Sequence, residues 1–144
     1  MVRMGERESE SRPDRHLEPG VALDRLAHRV IGAALEVHRI LGPGLLESIY
    51  EEALCAELAM AGIPFERQVR VKVRYKRRDI GEARLDLVVD SQLVVELKTV
   101  ENLAPVHVAQ VLSYLKLKKL HLGLLMNFNV AELRQGIRRI INNS

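Results

Sequence analysis

Two acids and a lysine stand inside strongly apolar segments of this chain, where charge is disfavoured unless something pairs with it. They are Asp86 in Leu85-Asp86-Leu87-Val88-Val89, and Glu96 and Lys98 in Leu93-Val94-Val95-Glu96-Leu97-Lys98. Glu96 and Lys98 are two residues apart, so on a strand they project from the same face. Asp86 falls on the preceding strand, across the short Asp90-Ser91 turn. Two carboxylates held close together repel, which raises a pKa unless a cation lies between them, and hard oxygen ligands of this kind suit Mg²⁺ or Mn²⁺. A lysine beside them could orient or activate a water, or neutralise charge developing on a phosphate. Register decides whether the three meet. A two-residue Asp90-Ser91 loop pairs Asp86 with Val95 and sends Asp86 and Glu96 to opposite faces, so a joint site needs a three-residue loop or a bulge. In the alternative arrangement Asp86 and Lys98 form a simple cross-strand ion pair and Glu96 is exposed.

The elements that must position these residues are readable from periodicity. Leu23, Leu26, Ala27, Val30, Ile31, Ala34, Leu35, Val37 and Ile40 form a three-and-four stripe, a helix that stops before Gly42-Pro43-Gly44. A second helix is expected from about Leu45 to Ala61, ended by Gly62 and Pro64. Val69, Val71, Val73 and Tyr75 alternate with Arg70, Lys72, Arg74 and Lys76, a strand with one apolar and one basic face, and residues 79–81 read as the turn after it. Residues 83–89 and 93–100 complete an antiparallel meander. A helix from Pro105 to about Leu117, a strand over 120–126 and an amphipathic helix over 130–141 follow. The order α-α-β-β-β-α-β-α describes an α/β fold with a mixed sheet flanked by helices.

A chain of 144 residues suits one domain, residues 21–144, behind a polar segment over residues 1–20 expected to be a disordered tail. Hydrophobic residues make up 47%, aromatics only 3% and Trp is absent, which argues against binding by aromatic stacking and against an aromatic-rich glycosidase cleft. The single cysteine, Cys55, cannot form an internal disulfide and reads as a small apolar residue of the second helix, and no Cys or His spacing resembles a zinc site. His38, His107 and His121 form no recognised ligand set, and of these His107 is nearest the expected site. Neither a membrane span nor a secretory signal is readable, so a cytoplasmic protein without a membrane partner is expected. The net charge is only +3, but Arg70, Lys72, Arg74, Lys76, Arg77 and Arg78 fall within nine positions with no acid among them. They make either a solvated edge strand protected by its charges or a ridge that tracks phosphates.

Taken together, Asp86 and Glu96-Leu97-Lys98 resemble the D…E-x-K signature of the PD-(D/E)XK nuclease superfamily, although Leu85 stands where that superfamily's name places a proline. Gln110-Val111-Leu112-Ser113-Tyr114 is similar to the Q-x-x-x-Y motif of its RecB-like members, and Gly44-Leu45-Leu46-Glu47-Ser48-Ile49-Tyr50 to the G-x-x-E-x-x-Y motif of a small bacterial family placed within it. The second likeness spans about residues 26–140. It implies a restriction-endonuclease-like fold and a metal-dependent phosphodiesterase, a hydrolase of DNA or RNA. Asp86, Glu96, the Leu97 carbonyl and Glu47 would hold Mg²⁺ or Mn²⁺, Lys98 would position the attacking water, Gln110 would help to fix the site or hold substrate, and Tyr114 would line it. From the residues alone, Glu47 reads equally as a first-turn acid favoured by the helix dipole, and Gln110 and Tyr114 as packing residues. The competing reading is a non-catalytic nucleic-acid-binding or protein-interaction module, with a homodimer possible in either case.

Overall fold

The computed structural model describes residues 20–143. Apart from Gly20, the tail expected over residues 1–20 lies outside the described residues. The chain opens with α1 (Val21–Leu41) and α2 (Glu47–Met60), continues through β1 (Phe65–Tyr75), β2 (Arg78–Val89) and β3 (Leu93–Lys98), and then α3 (Pro105–Lys118) and β4 (Leu122–Asn127). A 3₁₀ turn at Leu133–Gly136 leads into β5 (Ile137–Ile141). The sheet order is β1-β2-β3-β4-β5, antiparallel except for the parallel β3–β4 pair, so the sheet is mixed, as the sequence implies.

The helical stripes fix the layers. Leu26, Ala27, Val30, Ala34 and Val37 of α1 and Tyr50, Leu54, Cys55 and Leu58 of α2 pack on Leu87, Val89, Leu93, Val95, Leu97, Leu122, Leu124 and Met126. On the other face Val111 and Leu115 of α3 pack on Leu85, Val88, Val94, Leu125 and Ile140. Burial on both faces is why β3 and β4 read as near-continuous apolar runs rather than alternating ones. The result is the restriction-endonuclease-like arrangement of an α/β sandwich.

Two local expectations are corrected. The segment 130–141 is not a helix. Its spacing of Leu133, Ile137 and Ile140 is helical, but β4 is buried along its whole length and would otherwise end the sheet with unpaired backbone. The β-branched Ile137, Ile140 and Ile141 supply that missing strand, with Ile137 and Ile141 packed against one core and Ile140 in the other. Gly136 permits the close approach this arrangement requires, since a Cβ there would lie 2.4 Å from the Asn127 carbonyl oxygen. The turn expected at residues 79–81 lies instead at Lys76 and Arg77, both at positive φ, so β1 and β2 form a longer hairpin closed by the Tyr75–Arg78 pair. Arg74 Nη2 donates to the Arg77 carbonyl at 2.8 Å, and Lys72 and Arg74 lie 3.9 and 3.6 Å from Asp79. Those contacts hold Asp79 within the strand.

Candidate functional site

Three residues, Asp90, Ser91 and Gln92, separate the paired Val89 and Leu93, so the ladder runs Leu87–Val95, Val88–Val94, Val89–Leu93. Asp90 and Ser91 take positive φ, and Gln92 N–H closes the turn on the Val89 carbonyl at 3.0 Å. This is the loop length that a joint site requires. It sets Asp86 opposite Glu96, and there side chains take over the ladder: Asp86 N–H donates to Glu96 Oε1 at 3.2 Å, and Leu97 N–H donates to Asp86 Oδ2 at 2.9 Å.

A second irregularity sits on the other side of Asp86. Arg67 pairs with Leu87 and Val69 with Leu85, while the Gln68–Asp86 pair between them drops out of the ladder and Gln68 adopts φ +50°. Phe65, Leu87 and Val89 pack toward α1 and α2, whereas Val69 and Leu85 pack toward α3. Both strands therefore exchange faces at this point, and Asp86 sits where they do so.

Glu96 and Lys98 occupy the α3 side of β3, as their spacing requires. Lys98 Nζ donates to Gln110 Oε1 on α3 at 2.9 Å and lies 3.8 Å from Glu96 Oε2. Glu96 is 4% exposed, so the exposed position of the ion-pair alternative is not found. Burial, then the charge of Asp86, pushes the Glu96 carboxyl up to about 8. The Asp86 carboxyl is raised by burial, offset in part by the Leu97 N–H. Glu47, in the first turn of α2, is raised by burial and by Asp86, with Lys98 acting against both. Tyr114 is raised by burial and by the charges of Glu96 and Asp86. Glu47, Asp86, Glu96, Lys98, Gln110 and Tyr114 thus share one electrostatic neighbourhood spanning α2, the two central strands and α3. Among the described residues no group of three or more His, Cys, Asp and Glu side chains is arranged to hold a metal ion.

A sequence profile described as the PD-(D/E)XK nuclease superfamily matches residues 24–140. The chain belongs to that superfamily. A solved structure described as "Crystal structure of SSO0001" superimposes with a TM-score of 0.52 at 19% identity, over 89% of this chain and 61% of that one, which shows a shared fold. This chain therefore spans about three fifths of that structure's length. No curated protein matches it.

Within this member of the superfamily, the residues around Glu47 have a clear structural task. Gly42 and Gly44 take positive φ in the loop before α2. The Tyr50 hydroxyl donates to the Gly42 carbonyl and accepts the Leu45 N–H at 3.1 Å, while its ring stacks on Phe128 with centroids 4.7 Å apart. Tyr50 is fully buried and so locks the loop that delivers Glu47. Asn127 does the same for the end of β3: its side chain bonds the Val100 N–H at 3.0 Å and the Val100 carbonyl at 2.8 Å, just beyond Lys98. His107 serves α3 as a cap, its Nδ1 accepting the Ala104 N–H at 2.9 Å. His38 Nε2 lies 2.9 Å from the Val130 carbonyl. Neither histidine joins the acids. Cys55 sits in the core as expected, and burial raises its thiol to about 11.

The residue that sequence reasoning missed is Glu51. It is buried, and it receives Arg67 through Nε at 3.1 Å and Nη2 at 3.0 Å and Gln68 Nε2 at 2.9 Å, which ties α2 to the face-switch beside Asp86. Its one sequence signal is its place four residues after Glu47, on the same helix face. The basic ridge divides. Arg70 lies 3.4 Å from Glu82, and Lys72 and Arg74 face Asp79, whereas Lys76, Arg77 and Arg78 stand at the hairpin tip.

Proposed function

We propose that this protein is a metal-dependent phosphodiesterase of the cytoplasm that cuts DNA or RNA through Asp86, Glu96 and Lys98. The observation that carries the reading is the facing of a half-buried Asp86 and a buried Glu96 across β2 and β3, with a lysine amine on the same face 3.8 Å from Glu96. Such a group is costly to bury for packing alone. The donor set suits Mg²⁺ or Mn²⁺: each carboxylate gives one oxygen to a backbone N–H and keeps another, and a cation would offset the burial that raises both carboxyls and the charge of Asp86 that raises Glu96 further. Asp86, Glu96 and the Leu97 carbonyl would hold the ion, with Glu47 supporting it or a second one. Its chemistry would be to acidify water and offset charge on the scissile phosphate.

The chain's own side chains supply the remainder. Lys98, anchored by Gln110 at 2.9 Å, has its amine held beside Glu96, where it can orient a water or neutralise a developing oxyanion. Gln110 acts by fixing Lys98, and Tyr114 closes the α3 side. The likeness to the G-x-x-E-x-x-Y group belongs to the same reading, with Glu47 delivered by the Tyr50-locked loop. The test is cleavage of labelled single- and double-stranded DNA and RNA by the purified protein with Mg²⁺, Mn²⁺ or EDTA. Metal-dependent cutting is expected, with at least a hundredfold loss in folded Asp86→Ala and Lys98→Ala. Intact substrate in every metal, with wild type and variants binding nucleic acid equally, would instead identify a non-catalytic binding module.

A further inference from the structure

The β1–β2 hairpin runs well past the rest of the sheet. From residue 69 to residue 85 it carries seven Arg and Lys against two acids, more net positive charge than the whole chain's +3. Both acids, Asp79 and Glu82, are matched to cations of the hairpin body: Glu82 to Arg70, Asp79 to Lys72 and Arg74. Lys76, Arg77 and Arg78 have no acidic partner among the described residues. The tip is also built at a conformational cost, because Lys76 and Arg77 occupy left-handed backbone positions (φ 47° and 73°) that favour Asn and Gly, as in a two-residue turn between strands. Flanking them, Tyr75 is 57% and Ile80 61% exposed, with Ile80 bulged out where the register shifts from Val73–Gly81 to Arg74–Asp79. Lys76 Nζ lies 5.4 Å from the centre of the Tyr75 ring.

We infer that this tip is the principal duplex-binding element of the protein, an arm whose three unmatched cations grip the phosphates of a double-stranded nucleic acid while Tyr75 and Ile80 contact its groove. The inference rests on the nuclease-type reading of the central site and adds where, and how far away, the substrate is held. A two-stranded ribbon of this kind fits a major groove, whereas one tyrosine makes a poor platform for stacking single strands. The arm sets a length. Eight residues separate Asp86 from Arg78, roughly 25 Å at about 3.3 Å per residue. A duplex rising about 3.4 Å per base pair must therefore be roughly eight base pairs long to touch both places.

The experiment is fluorescence anisotropy of the full chain in EDTA with labelled duplexes of 6, 8, 12 and 16 base pairs, matched single strands, and anionic phosphatidylserine vesicles as competitor. Two triple variants remove equal charge: Lys76→Gln/Arg77→Gln/Arg78→Gln at the tip and Arg70→Gln/Lys72→Gln/Arg74→Gln in the body, both verified as folded by circular dichroism. Affinity of the wild type is expected to rise sharply between 6 and 12 base pairs. The tip variant should bind the 12- and 16-mers at least tenfold more weakly, lose the length dependence, and show a shallower salt slope by about 0.9 for each cation removed. The body variant should lose less than threefold. Equal losses in both variants, an unimpaired tip variant, or preference for single strands or vesicles overturns the inference while leaving the central site standing. A wild type that binds no nucleic acid of any length overturns the underlying reading as well.

Discussion

Glu96 holds its proton well above the ordinary carboxylate range, and that has a measurable sign. With its carboxyl raised from 4.5 to about 8 in the folded chain, folded Glu96 keeps a proton that the unfolded chain has already released between those values. Stability without metal is therefore greatest below the unfolded value and falls as pH rises through about 8, by a few kcal/mol, with raised Asp86 and Glu47 acting in the same direction. Urea unfolding in EDTA at pH 5 and pH 8.5 checks this. Wild type should lose stability over the interval, and Glu96→Gln should show a flatter profile and exceed wild type at pH 8.5. Parallel profiles would remove Glu96 as the source. At this scale the sequence was informative where charge sat in an apolar strand: Asp86, Glu96 and Lys98 stood out for that reason, and Lys98 does reach Gln110. Glu51 was not visible, because a glutamate amid a helix looks solvated until Arg67 and Gln68 arrive from sixteen and seventeen residues away.

The elements were legible to the extent that their periodicity was unambiguous. The α1 stripe and the β3 run each have one interpretation, whereas 130–141 fits a helix in isolation and becomes a strand only because β4 needs an edge partner. The hairpin turn moved for a related reason, since Lys and Arg at positive φ are poor turn signals in a sequence. Gly123 is a point at which β4 packs closely on α3. A Cβ there would come 2.7 Å from Val111 Cγ1 and 3.4 Å from Leu115 Cδ1. Gly123→Ala is expected to cost about 1–3 kcal/mol, because Val111 is fully buried and, being β-branched, has little rotamer freedom in a helix. The pair Gly123→Ala/Val111→Ala should be less destabilised than the sum of its single variants, as measured by urea titration. Strict additivity would mean that the two sites do not touch.

Across the whole molecule, the site draws on the layers packed on both faces of the sheet. Glu47 comes from α2 on one face, Gln110 and Tyr114 from α3 on the other, and Asp86 lies where β1 and β2 exchange faces between them. A cation bound there engages groups that are brought together only in the folded chain, so its binding energy adds to global stability rather than to one element. At a concentration a hundred times its Kd, the proposed Mg²⁺ or Mn²⁺ would stabilise the fold by about 2.7 kcal/mol, enough to raise Tm by on the order of 10 °C in a domain of this size. Differential scanning calorimetry with and without metal at pH 7.5 is expected to show that rise in wild type, and its loss in Asp86→Ala. Separate scans with metal alone and with duplex in EDTA distinguish the two ligands, and the tip variant should lose the stabilisation by nucleic acid while keeping that by metal. A rise of equal size in wild type and Asp86→Ala would locate the cation elsewhere, because removing a carboxylate that Leu97 N–H and the Glu96 pairing hold in place leaves no route for the site to rebuild itself.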